Sequence, residues 1–562
     1  MSATRPPTRL ALALLAATCL TPVGTGRAAP GDALGGPVSP KFQVNDFTTH
    51  NQTDPAVAMD ASGDFVVAWA SYEQDGDGSG VFAQRFDAAG ATQGFAFQVN
   101  SFTTNHQSKP AVAMDANGDF VVAWRSTGQD GDSYGVFAQR FDAAGVAQGP
   151  EFQVNSYTAG KQMSAAVAMD AHGDFVVAWS SYGQDGDGTG VFARRYDAAG
   201  VAQGPEFQVN SFTTSSQGAP ALAMDAKGDF AVAWASSAQD GSDFGVFAQR
   251  FDAVGVAQGP EFQVNSYTSS GQFEPAVGLD ADGDFVVAWT SAGQDGDGWG
   301  VFAQRFDAAG VAEGREFQVN TVTAGTQIRP TVAMDASGDF IVAWMSTGIF
   351  ARRYDAKGVP RGPQFQVGGD TPSSHWYPAA AMDADGDSVV AWASSGDADG
   401  HGAGIFAQRF DGVGRVVGDF DGDGNADLLW HNATTGTAVV WLMDGETRLA
   451  AGSIGAVPTV WEISGTGDFN GDGMADILWR NTGNGSTVVW QMNGLQKAAW
   501  SSIGAPPLTW VIEQIRDTNG DGLSDILWRN TGSGATVVWR MNGFTKVTVG
   551  GTGSVDSAWQ VP

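Results

Sequence analysis

The residues best suited to chemistry lie in three short acidic loops near the C-terminal end of the chain. The loops read DFDGDGNADLLW at 419–430, DFNGDGMADILW at 468–479 and DTNGDGLSDILW at 517–528. All three follow the pattern D-x-[DN]-x-D-G-x-x-D. Oxygen-bearing side chains at positions 1, 3 and 5 converge as the backbone curls, and the glycine at position 6 allows a sharp turn. Calcium takes about six to eight oxygen ligands, so this spacing predicts three calcium-binding loops.

The predicted ligands are the side chains at positions 1, 3, 5 and 9 of each loop and the backbone carbonyl at position 7. The side chain at position 7 is free to vary, because only its carbonyl oxygen faces the ion. The three predicted sets are Asp419, Asp421, Asp423, Asn425 and Asp427; Asp468, Asn470, Asp472, Met474 and Asp476; and Asp517, Asn519, Asp521, Leu523 and Asp525.

The residue at position 12 excludes an EF-hand. An EF-hand needs Glu there and a helix on each side, whereas these loops have Trp430, Trp479 and Trp528 on predicted strands. The three motifs start 49 residues apart and run into [LI]LW[HR]N. In these features, residues 415–562 resemble the FG-GAP/VCBS family of extracellular propeller repeats, also found in integrin α-subunit heads. The resemblance implies that each loop joins two strands and binds calcium (Ca²⁺) at the positions given above.

A longer repeat precedes these loops. The stretch AVAMDASGDFVVAW at 56–69 recurs at 111–124, 166–179, 221–234, 276–289, 331–344 and 379–392. Each unit contains two apolar runs joined by an Asp-Gly turn, then a VFAQRFD-like segment and FQVN, with no sustained helical period. Seven units of four short strands predict a seven-bladed β-propeller. The array is otherwise identified only as a propeller-type repeat of exported bacterial proteins with no assigned role.

The two ends of this array predict how the ring closes. The first element is a fourth-strand motif, Phe42–Asn45, and the last is a third-strand motif, Ile405–Asp411. Pairing them would remove two open sheet edges. The predicted fold is therefore all-β, with a seven-bladed propeller at 42–411 followed by three four-stranded FG-GAP/VCBS-type blades at 415–562. The three blades could form an open fan on the ring, self-associate with a partner chain, or place Arg415–Phe420 in the seventh blade instead of Phe42–Asn45.

The N-terminal residues predict export. Residues 1–29 read as a signal peptide, with Arg5 and Arg9 before the apolar run Leu10–Leu20. This run is too short to span a bilayer, so no membrane insertion is expected. Residues 30–41 form a Gly- and Pro-rich lead-in. The single cysteine, Cys19, lies in the signal peptide, so the mature chain is expected to have no disulfides and to use metal for stability. We expect a secreted protein, in solution or on the cell surface.

Several repeated residues of the ring admit two interpretations. The Asp-Gly loops, such as 74–80 with Asp75 and Asp77, either chelate metal or form acidic turns, and the second interpretation is favoured because each loop has too few carboxylates. The tryptophans that end the second strands, beginning with Trp69, are expected in the core rather than on a ligand platform. The arginines equivalent to Arg85 are expected to form local ion pairs or ring stacks.

Composition and motifs restrict the function. The net charge of −32 excludes nucleic acid as a partner. The sequence has no His-Glu-x-x-His, no Gly-x-Ser-x-Gly and no phosphate loop, so an enzyme is not favoured. We expect a calcium-stabilised binding or adhesion protein. The loops between the second and third strands and between successive blades are the long ones and share one face of the propeller, which we expect to bind a glycan or a protein. A polysaccharide lyase or hydrolase with paired carboxylates on the propeller axis, and a purely structural exoprotein, are the alternatives. The cluster His375-Trp376-Tyr377 marks a ligand pocket or fills space beside the shortened sixth repeat.

Overall fold

The computed structural model describes residues 39–369, 374–384, 386–395, 402–410, 418–421, 426–444, 447–470, 474–516, 518 and 523–554. The predicted signal peptide and most of the lead-in lie outside these ranges. Every regular element in them is a β-strand. Within these ranges there is no helix with the length and apolar character needed to cross a bilayer.

The ring contains the first 28 strands. They are β1 Phe42–Gln43, β2 Gln52–Met59, β3 Phe65–Tyr72, β4 Ser79–Phe86, β5 Phe97–Gln98, β6 Gln107–Met114, β7 Phe120–Thr127, β8 Tyr134–Phe141, β9 Phe152–Gln153, β10 Gln162–Met169, β11 Phe175–Tyr182, β12 Thr189–Tyr196, β13 Phe207–Gln208, β14 Gln217–Met224, β15 Phe230–Ser237, β16 Phe244–Phe251, β17 Phe262–Gln263, β18 Gln272–Leu279, β19 Phe285–Ala292, β20 Trp299–Phe306, β21 Ala312–Gln318, β22 Ile328–Met334, β23 Phe340–Met345, β24 Ile349–Tyr354, β25 Phe365–Val367, β26 Ser374–Met382, β27 Ser388–Ser395 and β28 Ala403–Phe410.

These strands form seven four-stranded antiparallel sheets. Six sheets contain consecutive strands, from β2-β3-β4-β5 to β22-β23-β24-β25. The seventh has the order β1-β28-β27-β26, with Phe42 opposite Ala407 and Gln43 opposite Phe406. The predicted closure by the N-terminal strand is thus confirmed. Because β1 occupies the edge of β28, the alternative in which Arg415–Phe420 takes that place is wrong.

The apolar second strands explain how the blades hold together. Side chains of a strand alternate between its two faces, and in β3 both faces are buried. Phe65, Val67 and Trp69 pack against the seventh blade, whereas Val66 and Ala68 pack against the second. Each pair of neighbouring blades shares one such core, which makes the ring continuous. The ring tryptophans are at most 1 % exposed, which confirms their place in the core: Trp69, Trp124, Trp179, Trp234, Trp289, Trp344 and Trp392.

The arginines of the third strands follow the prediction of local ion pairs or ring stacks in part. The Arg305 guanidinium pairs with the Glu313 carboxylate of its own blade, and the Arg353 guanidinium lies 5.8 Å from the centroid of Phe365.

Other arginines of the third strands bind the neighbouring blade instead. The Arg85 guanidinium donates to the backbone carbonyl of Ala144 in the next blade at 2.7 Å. Arg140 makes the equivalent bond to Ala199 at 2.7 Å. Arg85 and Arg140 therefore join neighbouring blades through backbone carbonyls.

The C-terminal segment contains the remaining strands: β29 Leu428–His431, β30 Thr437–Asp444, β31 Thr447–Ala456, β32 Trp461–Gly467, β33 Asp476–Asn481, β34 Thr487–Asn493, β35 Gln496–Gly504, β36 Trp510–Arg516, β37 Asp525–Asn530, β38 Ala535–Asn542 and β39 Thr545–Ser554. They form two four-stranded sheets, β32 to β35 and β36 to β39, preceded by the described sheet β29-β30-β31. The strand predicted at 415–420 falls largely outside the described residues, and so does the predicted terminal strand at 559–562. The three sheets pack in series through two apolar cores.

Candidate metal site in the C-terminal repeats

The acidic loops lie where the resemblance to FG-GAP/VCBS repeats places them. The second loop joins β32 to β33 and the third joins β36 to β37, while the first directly precedes β29. The second and third loops therefore connect the first strand of a sheet to its second strand, β33 or β37. Strands β29, β33 and β37 all contribute apolar side chains to the cores between the sheets. The prediction that these loops join two strands is confirmed for the second and third repeats.

In the first loop, three aspartates converge. One carboxylate oxygen from each of Asp419, Asp421 and Asp427 lies within 4.8 Å of the other two. Asp419 and Asp427 are buried, whereas Asp421 retains contact with solvent. Asp423 and Asn425 lie outside the described residues, and their role as ligands stays a prediction. Three carboxylates around one point are a donor set that can hold a metal ion.

The aspartate at position 9 also has a structural role, which the sequence analysis missed. In the first loop, Asp427 Oδ2 accepts a hydrogen bond from the Phe420 backbone N–H at 2.7 Å, and Oδ1 accepts one from Met443 N–H at 2.8 Å. Asp476 and Asp525 make the same pair of bonds, to Phe469 and Met492 and to Thr518 and Met541. The carboxylate thus ties the loop to the third strand.

A sequence signal for this second role does exist. The methionine that donates to each position-9 aspartate belongs to the Trp-x-Met-[Asp/Asn]-Gly turn, always 16 residues after the aspartate. A constant separation between an acid and an apolar turn residue suggests a fixed contact between them. The backbone donor itself has no sequence signature, because any residue other than proline supplies an N–H.

Successive loops are also connected to each other. The Ala475 N–H donates to the Asp419 carbonyl at 2.5 Å, and the Gly494 N–H donates to the Phe420 carbonyl at 2.6 Å. The second and third repeats repeat this arrangement through Ser524 and Gly543. Phe420 is fully buried in the core that includes the second sheet. The conformation of one loop therefore depends on the next repeat being folded.

The second and third loops are described only in part. Asp468 and Asp476 are almost fully buried, and Asp468 Oδ1 accepts a hydrogen bond from the Asn470 N–H at 3.0 Å. Met474, Leu523 and Asp525 are also placed in these loops. The other predicted ligands lie outside the described residues: Asp472, Asp517, Asn519 and Asp521.

The Asp-Gly loops of the ring use their carboxylates on neighbouring backbone. Asp77 Oδ2 accepts a hydrogen bond from Asn105 N–H at 3.0 Å, across to the loop that enters the next blade. Asp132 and Asp187 do the same with Gly160 and Ser215. Burial raises the pKa of Asp75, whose Oδ2 accepts from the Asn100 side chain at 3.3 Å. These bonds support the acidic-turn interpretation of the loops.

A pair of carboxylates on the opposite face of the ring belongs to a repeated turn. Asp335 Oδ1 accepts hydrogen bonds from the N–H and hydroxyl of Ser337 and from Asp339 N–H. Burial, reinforced by the nearby Asp339 carboxylate, raises the pKa of Asp335 from 3.8 to about 7. The same turn occurs in the first blade, where Asp60 Oδ1 accepts from Ser62 and from Asp64 N–H. Asp335 therefore holds a hairpin rather than forming a separate catalytic pair.

The raised pKa gives a testable pH dependence. From about pH 4 to about pH 7 folded Asp335 keeps a proton that the unfolded chain releases. Its stabilising contribution is thus complete below the unfolded pKa and is lost as the pH rises to about 7. Asp335→Asn keeps the Oδ1 acceptor and stays neutral. We expect the variant to exceed the wild-type free energy of unfolding by on the order of 3 kcal/mol at pH 8 and to match it near pH 4. Urea unfolding at several pH values measures this. A difference in the free energy of unfolding between the variant and the wild type that stays the same from pH 4 to pH 8 would contradict it.

Comparisons with known proteins identify one part of the chain. Residues 419–479 match the model of the FG-GAP-like repeat. No curated protein matches the chain. The polysaccharide lyase Uly1 is 9 % identical, with a TM-score of 0.43 over 66 % of this chain and 100 % of its own. The xyloglucanase from Xanthomonas campestris is 13 % identical, with a TM-score of 0.38 over 89 % of this chain and 72 % of its own.

A third solved structure is the propeller domain of the Trilobed protease from Pyrococcus furiosus. It is 7 % identical to the chain, with a TM-score of 0.40 over 64 % of this chain and 93 % of its own. None of these likenesses bears on what the chain binds. The chain is an all-β protein of propeller-type blades, and its acidic loop at 419 begins an FG-GAP-like repeat that extends to residue 479.

Proposed function

We propose that the three C-terminal loops bind calcium and that the chain is a secreted binding protein stabilised by it. The observation that carries the calcium assignment is the convergence of Asp419, Asp421 and Asp427. Oxygens that share one calcium ion at about 2.3–2.6 Å lie at most about 5 Å apart, and the three carboxylates fall within 4.8 Å. The net charge of −32 favours a cation over any anionic ligand.

Calcium in these loops would act on structure. The loop carboxylates are close together and partly buried, so they repel one another without a cation. The position-9 carboxylate is bound to the third strand of its own sheet, and backbone hydrogen bonds join successive loops. A change of charge in one loop would therefore affect how the C-terminal sheets pack. Binding would therefore stabilise the C-terminal repeats as a unit, which suits an exported chain whose only cysteine lies in its predicted signal peptide.

The ring is the proposed ligand-binding part. Loops between the second and third strands and between successive blades lie on one face, here called the loop face, and function is commonly placed on loops of a rigid scaffold. Aromatic side chains lie at this face and are only partly buried, including Tyr134, Phe244 and Trp299. The Arg125 guanidinium lies 4.6 Å from the centroid of Tyr134. Aromatic rings beside hydrogen-bonding groups suit a glycan, and this is the ligand class proposed.

A glycan panel tests this function. The mature chain, beginning after residue 29, is incubated with immobilised neutral and uronate oligosaccharides, in calcium and in EDTA. We expect retention on at least one glycan in calcium, without release of shortened or unsaturated products. Product release would favour the lyase or hydrolase alternative. Failure to bind any glycan would contradict the proposal, whatever the calcium result.

A further inference from the structure

Seven residues of the innermost strands have a backbone conformation that is rare for their type. They have positive φ angles between 50° and 56°, although none is glycine. The residues are Asp54, Lys109, Ser164, Ala219, Glu274, Arg329 and Tyr377. Each lies at a β-bulge, where the pairing of the first and second strands shifts register. Left-handed conformations are unfavourable for residues with a Cβ, and bulges redirect side chains.

The chemical identity of these bulge residues changes from blade to blade while their surroundings stay constant. In six blades a buried glutamine such as Gln52 lies two positions before the bulge, and proline such as Pro55 usually follows it. The bulge position itself is acidic, basic, hydroxyl, methyl or aromatic. If the fold alone required the left-handed conformation, glycine or asparagine would suit every blade. Instead, all seven positions keep a residue with a side chain despite the unfavourable backbone conformation, which suggests that the side chains themselves have a role.

The bulge residues surround the propeller axis at the loop face. Each one is near the beginning of an innermost strand, and neighbouring innermost strands contact one another around the whole ring, from β2 through β26 and back to β2. Their side chains also reach each other. Arg329 Nε lies 3.4 Å from Glu274 Oε1, and the Arg329 guanidinium lies 4.4 Å from the centroid of Tyr377. Three successive blades thus share one polar and aromatic surface.

Other variable strand positions are found at the same end of the blades. Arg125, next after Trp124, donates to the Ser108 hydroxyl at 2.9 Å. Thr290, next after Trp289, donates to Glu274 Oε2 at 3.2 Å. The opposite end of each blade keeps its Asp-Gly turn in all seven repeats. Variation within the strands is therefore concentrated where the bulge residues lie.

We propose that the seven bulge residues form the ligand-contacting ring of the loop face and bind a neutral oligosaccharide. This inference rests on the proposed glycan-binding function. Two acids and two bases give the ring no net charge, and the surrounding Asp-Gly loops and the net charge of −32 disfavour uronates. The partly buried Phe273, Trp376 and Tyr377 offer apolar faces for sugar rings. The cluster His375-Trp376-Tyr377, which breaks the repeat pattern, supplies two of these three aromatic residues.

Glycine substitutions test the ring, because glycine removes the side chain and the strain together. Lys109→Gly and Ser164→Gly are compared with Ala238→Gly, a control outside the seven bulge residues that also relieves a left-handed conformation, φ 60°, and removes only a methyl group. We expect the first two to weaken binding to the neutral oligosaccharides of the panel at least tenfold. We expect the control to bind like the wild type. All three should melt at the wild-type temperature or about 1–3 °C above it, since they relieve left-handed strain.

The outcomes separate this inference from the function on which it rests. If Lys109→Gly and Ser164→Gly bind as strongly as the wild type, the bulge residues are not the ligand-contacting residues, and the glycan-binding function still stands. If both variants bind more weakly and also melt at a lower temperature, these residues have a structural role, and the inference that they contact the ligand is contradicted as well. Preference for uronate over neutral oligosaccharides would overturn the ligand class. No wild-type binding to the panel would overturn both the function and the ligand class.

Discussion

Excess EDTA is expected to lower the melting temperature of the C-terminal repeats, and saturating calcium is expected to restore it. A ligand that binds only the folded state stabilises it by RT ln(1 + [L]/Kd), about 4 kcal/mol per site at a thousandfold excess over Kd. Asp419, Asp421 and Asp427 form the described acidic cluster, and their mutual repulsion adds to the cost of removing the ion. Differential scanning calorimetry in calcium and in EDTA measures the effect.

Two substitutions in the same loop separate metal binding from structure. Asp421→Ala should reduce the stability gained from calcium and, in EDTA, should cost less than Asp427→Ala, because it also removes one of the mutually repelling charges. Asp427→Ala should destabilise by about 3 kcal/mol in EDTA, because the N–H groups of Phe420 and Met443 lose their buried acceptor, and by more in calcium, because the loop also loses a ligand. Asp77→Ala in the ring is the control, since its carboxylate accepts from Asn105 N–H and its effect should be the same with and without calcium.

Two results would contradict the calcium assignment. The first is a calorimetric trace that is identical in saturating calcium and excess EDTA. The second is an Asp421→Ala variant that responds to calcium as strongly as the wild type. In either case the converging carboxylates of the first loop would be an acidic turn that folds without an ion.

Removing the N-terminal closing strand is expected to have an equally large effect on the ring. A chain that begins after Asn45 lacks β1, leaving the edge of β28 open and part of the core between the first and seventh blades uncovered. Open strand edges promote association with other chains. We expect a lower urea midpoint and aggregation. Urea unfolding and size-exclusion chromatography measure these, and an unchanged midpoint in a monomeric truncated chain would contradict the closure.

A single asparagine provides a milder form of this experiment. Asn45 Oδ1 accepts from Ile405 N–H at 2.7 Å, and its amide donates to the Phe47 carbonyl at 2.9 Å. Asn210 makes the equivalent bonds, to Val191 and Phe212, inside the ring. Asn45→Ala should destabilise more than Asn210→Ala, because only at the closure does the bond join two distant parts of the chain. Equal losses would mean that β1 contributes no more than any other fourth strand.

The sequence was sufficient for the architecture because its periodicities have direct physical causes. A continuous apolar run such as Phe65–Trp69 requires burial on both faces, and a repeat that begins with its fourth strand requires closure by that strand. The pattern of Asp, Asn and Gly in the C-terminal loops likewise identified Asp419, Asp421 and Asp427, which converge in the first repeat. These inferences depend on residue type and spacing alone, and both can be read directly from the sequence.

Tertiary structure decided the features that depend on backbone groups and on neighbouring blades. The two N–H groups bound by Asp427, the carbonyl bound by Arg85 and the left-handed bulges from Asp54 to Tyr377 leave little mark on residue type. Every residue has a carbonyl, and seven chemically different side chains share no backbone preference. Their conformations follow from how one sheet packs against the next, which a single sequence does not express.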